Sequence, residues 1–190
     1  MLINSHFQYL VGGKASAISI LNAPLLVKTN IDTKKVLITD NYTEKGAAIY
    51  ATETARMRLL DLEMTENTGS CIELSQKTHI LIEDSIFRGN EGSVLKAAKD
   101  VILDVLRSTF ELNVATNGAI LHSINNKRGN IQFRNSFFGN IYSKMSAFYL
   151  FKTKANVEDC LFLNIFSRNH NPGFTLLFST LTANNFTVDY

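Results

Sequence analysis

The chain has no tryptophan, only two prolines and only two cysteines in 190 residues. Charge of one sign is also missing, since 19 basic residues nearly balance 17 acidic ones for a formal net charge of +2. That balance gives no electrostatic footprint of a nucleic-acid-binding protein, so no nucleic-acid partner is expected. No apolar run reaches the roughly 18 to 20 residues a membrane-spanning helix needs, so none is expected in this segment. The start, Met1-Leu-Ile-Asn-Ser-His-Phe7, has neither the basic stretch nor the apolar block of a signal peptide. Nowhere does a 3.6-residue apolar stripe run on long enough for a convincing helix. The nearest candidate, 51–60, lacks a good cap and falls where a turn and a strand are due.

What is present is a repeat. Asn41, Asn67, Asn90, Asn113, Asn140 and Asn164 follow one another at gaps of 26, 23, 23, 27 and 24 residues. Three positions before each stands an apolar residue: Ile38, Met64, Phe87, Phe110, Phe137 and Leu161. A few residues after each comes a small residue opening a short apolar run, as in Gly46-Ala-Ala-Ile-Tyr50, Gly92-Ser-Val-Leu-Lys96 and Gly118-Ala-Ile-Leu-His122. A fixed period in the twenties marks stacked repeats. Strand-length apolar runs between polar turns make each repeat a coil of two or three short strands.

Such a coil is the rung of a parallel β-helix, hydrogen-bonded to the next rung at about 4.8 Å so that equivalent positions stack. The asparagines are therefore expected to form a buried structural ladder, because a stacked amide offers both donors and acceptors to turn backbone. Within the glycine-led runs the second and fourth positions are expected inside. The fifth, holding Tyr50, Glu73, Lys96, His122, Leu150 and Leu177, is expected outside, its face becoming covered near the C-terminal leucines. A leucine-rich repeat is the competitor, but only Leu60-Asp-Leu62 approaches its pattern.

The paired motifs, Gly-small-apolar-apolar and Phe-x-x-Asn, resemble the repeats of chlamydial polymorphic outer-membrane proteins. They are also similar to the large pectin-lyase-like β-helix proteins of ciliates. Phe87-x-x-Asn90, Phe110-x-x-Asn113, Phe137-x-x-Asn140 and Gly118-Ala-Ile120 carry the resemblance, which spans about residues 12–185. It implies a right-handed coil and proteins that are commonly surface-bound or secreted and longer than this chain. It says little about activity, because β-helices host enzymes, adhesins and scaffolds alike.

The chemistry-bearing residues are few. Glu73, Lys96 and His122 fall on successive rungs of the outward row and form a candidate contact row, with one carboxylate, one cation and one imidazole. Polysaccharide-cleaving sites call for paired or clustered carboxylates, which this row does not supply. A second charged column, Asp61, Asp84, Arg107, Arg134 and Glu158, reads as cross-rung ion pairing, for instance Asp84 with Arg107, the alternative being an anion-binding Arg107–Arg134 pair. His6, His79, His122 and His170 are scattered without metal-ligand spacing, and no phosphate-loop glycine pattern occurs. No cofactor or metal is expected. The loop Asn125-Asn-Lys-Arg-Gly-Asn130 is expected to project as an exposed turn. Asn41-Tyr-Thr43 and Asn185-Phe-Thr187 are glycosylation sequons; ladder burial argues against the first, while Asn185 is a candidate site. Cys71 and Cys160 lie four rungs apart, about 19 Å at the rung spacing, too far for a disulfide.

The expectation is a single all-β domain over 1–190, a right-handed parallel β-helix of about seven rungs and roughly 35 Å, forming part of a longer solenoid. The repeat is already running at Gly12-Gly-Lys-Ala-Ser-Ala-Ile-Ser-Ile20 and stops within Asn185-Phe-Thr-Val-Asp-Tyr190, so both ends read as uncapped. The expected role is a non-catalytic structural or adhesive segment of a cell-surface or filament-forming protein, extracellular in location. Its expected contacts are protein partners, copies of itself through the open ends, and carbohydrate. The alternative is a carbohydrate-active β-helix enzyme, a lyase or hydrolase, or a diverged relative of one.

Overall fold

The computed structural model describes residues 2–12, 15–20, 30–53, 56–169 and 171–189. Gly13 and Lys14 of the first glycine-led run, and His170, lie outside the described residues. Among the described residues every regular element is a β-strand, and every named strand pairing is parallel. The chain winds into a β-helix of three faces. The first face is built from strands such as His79–Glu83, Ile102–Leu106, Asn130–Arg134 and Lys154–Glu158. The second contains Ile86–Arg88, Thr109–Glu111, Phe137–Ser143 and Leu161–Ser167. The third contains Thr68–Ser75, Leu95–Ala98, Leu121–Ile124, Phe148–Phe151 and Phe174–Leu177. Arg56–Thr65 is a strand, not a helix, and spans the first two faces with a kink at Asp61, whose φ is +55°.

Alternation along each strand fills the interior. The column Ile38, Met64, Phe87, Phe110 is in register and each member is fully buried. It continues through Phe138 and Phe162, not through Phe137 and Leu161. The rings form a nearly parallel stack, with centroids 4.8 Å apart for Phe87–Phe110, 5.1 Å for Phe110–Phe138 and 4.6 Å for Phe138–Phe162. Offset stacking at one ring per rung places apolar area and favourable ring geometry in the same contact.

The third face departs from expectation in its last rungs by the same single residue. His122 pairs with Tyr149, and Tyr149 with Thr175, so the outward row runs Tyr50, Glu73, Lys96, His122, Tyr149, Thr175. Leu150 is fully buried in the neighbouring inward column. The face therefore is not covered by leucines; the alternation simply restarts one residue later.

Candidate functional site

Three corners join the faces, and each has its own turn chemistry. Between the second and third faces, Asp40, Glu66, Gly89 and Leu112 take left-handed backbone, with φ between +52° and +65°. The next residue in each rung is a buried asparagine. Asn41, Asn67, Asn90 and Asn113 hydrogen-bond in series, each Nδ2 donating to the following Oδ1 at 3.0–3.2 Å. Each Oδ1 of Asn67, Asn90 and Asn113 also accepts the main-chain N–H of the asparagine one rung earlier. The Nδ2 groups of Asn41, Asn67, Asn90 and Asn113 also donate to the carbonyls of Phe7, Ile38, Met64 and Phe87 respectively. The Phe-x-x-Asn spacing follows: the apolar side chain fills the core while its carbonyl caps the amide of the next rung.

Asn140 and Asn164 do not belong to this buried column. Val114 pairs with Tyr142, which sets Ile141 opposite Asn113, and Ile165 follows Ile141. Both isoleucines are buried. Asn140 and Asn164 occupy the left-handed turn position instead, with φ of +51° and +52°, and are exposed; Asn164 Nδ2 donates to Asn140 Oδ1 at 3.1 Å. Asparagine tolerates that backbone, so the residue type suits either position.

A second ladder, which the sequence reading missed, lines the corner between the first and second faces. Ser85 Oγ accepts the Leu62 N–H, Ser108 Oγ that of Ser85, and Ser136 Oγ that of Ser108. Each hydroxyl donates to the carbonyl two residues before it. Cys160 takes the next place, its thiol donating to the Glu158 carbonyl at 3.2 Å. The signal was legible as Ser85-x-Phe87, Ser108-x-Phe110, Ser136-x-Phe138 and Cys160-x-Phe162.

The charged column beside that corner is only partly as expected. Arg107 donates to Asp84 through Nε at 2.8 Å, which holds the Asp84 carboxyl below its usual range, and also pairs with Glu83. Arg134 lies opposite Leu106 and Glu158, one position out of the column, so Arg107 and Arg134 form no paired anion site. Cys71 and Cys160 are free and buried, and burial raises both thiol pKa values. Asn185 is exposed with φ of +45°, and its Nδ2 donates to Asp159 Oδ1. Asn41 of the other sequon is inside the ladder.

The candidate contact row stands on the third face. Lys96 has Glu73 on one side, Nζ to Oε2 3.9 Å, and His122 on the other. The His122 ring packs edge-on to Tyr149, centroids 5.2 Å apart. Burial, and then the Lys96 charge, lower the His122 pKa, which keeps the imidazole neutral at neutral pH. Lys96 and His122 form a ridge between two open grooves of about 330 Å³ each. One groove is floored by the small residues Gly69, Ser70, Gly92 and Ser93, the other by Ser75, Ala97 and Ala98. The row can donate from an ammonium, exchange hydrogen bonds at an imidazole and present one carboxylate already engaged by a lysine. Among the described residues no three His, Cys, Asp or Glu side chains gather as a metal site, and no helix is long and apolar enough to cross a membrane.

The family model described as the right-handed beta helix region matches residues 12–138. No curated protein and no solved structure matches the chain significantly.

Proposed function

Because the chain belongs to the right-handed β-helix family, we propose that it serves as a non-catalytic structural or adhesive segment of a cell-surface or filament-forming protein. The observation that carries this reading is the continuity of the internal columns. Amide, hydroxyl and phenyl stacks each bond rung to rung, which makes the solenoid a stiff rod whose outer faces and corners sit at fixed spacings. Rigidity along the axis suits a spacer, and repeated outward rows suit contacts with extended partners. Protein partners engage through the faces, whose outward rows repeat at the rung spacing.

Glu73 is the carboxylate of the outward row, and Lys96 engages it, so the row acts as a recognition ridge rather than an acid–base pair. The test is incubation of bead-coupled protein with neutral and acidic polysaccharides, following polymer length and bead retention together. The expected result is retention of one polymer class without shortening. Shortening that disappears in His122→Ala or Lys96→Ala would replace this reading with a carbohydrate-active enzyme.

A further inference from the structure

The solenoid places opposite charges on successive rungs over much of its surface. Glu73 meets Lys96, Asp84 meets Arg107, and Arg88 meets Glu111 at 2.6 Å. The corner between the third and first faces follows this rule only at its first step, from Glu53 to Lys77, and departs from it on the rungs that follow. Lys77, Lys99, Lys127 with Arg128, and Lys152 with Lys154 sit at this corner on four successive rungs. All but the half-buried Lys152 are exposed. Asp100 is interposed, its Oδ1 accepting the Arg128 main-chain N–H at 3.2 Å, and it offsets one of the six cations, which leaves the row basic. None of the five ion pairs among the described residues includes these six cations. Like charges one rung apart repel, so the row is an electrostatic cost unless something neutralises it.

The row ends beside an unusual aromatic. Phe178 continues the turn position of Lys152, which donates its N–H to the Leu177 carbonyl at 2.9 Å. Its φ is +51° and it is 86% exposed, a poor place for a phenyl ring in an unliganded turn. The ring meets Phe151 edge-on at 6.0 Å, and Lys152 Nζ lies 4.9 Å from the Phe151 centroid. Lys127, Lys152, Lys154, Phe178 and Thr180 line an open groove of about 310 Å³.

We propose that this corner binds a linear acidic polysaccharide, sulfated or uronic, laid along the solenoid axis. Its anionic groups lie on the Lys77–Lys154 row and one sugar ring lies against Phe178. The cations recur at the rung step of about 4.8 Å, so the row spans about 14 Å and matches a polymer charged at every unit or every other unit. A single-stranded nucleic acid would call for a ring per base, whereas this row has one exposed ring for six cations. The proposal rests on the adhesive reading and supplies its ligand class.

The experiment is electrophoresis of the 190-residue protein through native gels containing a sulfated polysaccharide, a polyuronate, neutral dextran or single-stranded DNA. Retardation by one or both acidic polysaccharides is expected, and which one retards names the anionic group; dextran has no effect. Replacing Lys127, Arg128, Lys152 and Lys154 together by alanine should weaken binding at least about tenfold and flatten its salt dependence, with an unchanged thermal midpoint. Arg58→Ala with Lys144→Ala, on other parts of the surface, should leave binding within about twofold. Phe178→Ala should weaken binding while keeping the salt slope. No retardation at low salt, equal retardation of the fourfold variant, or strongest binding to DNA would each overturn the proposal. Cleavage of a bound polymer would instead sink the non-catalytic reading and leave the corner standing.

Discussion

Asn90 makes four hydrogen bonds from a fully buried amide: Oδ1 accepts from the Asn67 N–H and Nδ2, while Nδ2 donates to the Met64 carbonyl and Asn113 Oδ1. Truncation leaves several buried groups without partners, so Asn90→Ala should lower stability by about 3 kcal/mol in denaturant titration. Asn140→Gly keeps the left-handed turn and removes an exposed side chain, so its effect should stay within about 0.5 kcal/mol. Equal effects at the two sites would contradict the split between ladder and turn positions. His122 gives a pH signature. Its folded pKa is lowered by burial and by Lys96, so below the ordinary histidine value of about 6.5 the unfolded chain binds the proton more readily. Stability from this group is therefore present above about pH 6.5 and lost as pH falls through the folded pKa. His122→Gln should flatten that acid limb in thermal scans from pH 7 to about pH 5, and an unchanged limb would refute the assignment. Both thiols are buried and carry raised pKa values, so native protein should resist alkylation that proceeds once it is unfolded.

At the scale of the element, the phenylalanine stack is the continuous feature of the core. Phe110 touches Phe87, Phe133 and Phe138 at centroid distances of 4.8, 6.1 and 5.1 Å, so Phe110→Ala should cost about 4 kcal/mol. Gly92, with φ of +127°, lies where a Cβ would collide with the Gly69 carbonyl, so Gly92→Ala should break the third-face register and lower the thermal midpoint sharply. The repeat, the strand content and four of the six asparagines were legible because period and residue chemistry agree there. Legibility failed where a rung changes length. Ser85 and Ser108 are 23 residues apart, but Ser108 and Ser136 are 28 apart: three of the five extra residues enter between Val114 and Leu121 and two in the turn at Asn125–Asn130. Beyond that turn two adjacent phenylalanines, Phe137 and Phe138, compete for one inward position. The Phe-x-x-Asn pattern selects the first, while the Ser-x-Phe pattern selects the second. Packing follows the second, because a one-residue slip would turn each inward side chain outward.

For the molecule as a whole, the outward row Glu73–Lys96–His122 could be placed from the glycine-led motif, each member standing at its fifth position although the steps between them are 23 and 26 residues. The basic corner could not be. Its lysines come from turns of unequal length, so they align only once the coil is closed and no fixed spacing in the chain connects them. A solenoid also distributes stability unevenly, each rung being held by its neighbours on either side. Rungs between Thr68 and Ile124 are flanked on both sides and contain the buried asparagine, serine and phenylalanine stacks. In Phe174–Leu177 and Thr180–Asn184 the apolar side chains are half-buried or exposed, with Leu176 at 42% and Phe186, just beyond, at 40%. Hydrogen exchange of the 190-residue chain should therefore be graded along the axis. Amides in Leu95–Ala98 and Leu121–Ile124 should open only with global unfolding. Those in Thr180–Asn184 should exchange at least about tenfold faster through local opening. Addition of the acidic polysaccharide should slow exchange at the turns holding Lys99, Lys127 and Lys152 and leave Ile86–Arg88 and Thr109–Glu111 unchanged. Uniform protection along the chain would mean that the rungs unfold as one block and that the stacks do not act pairwise.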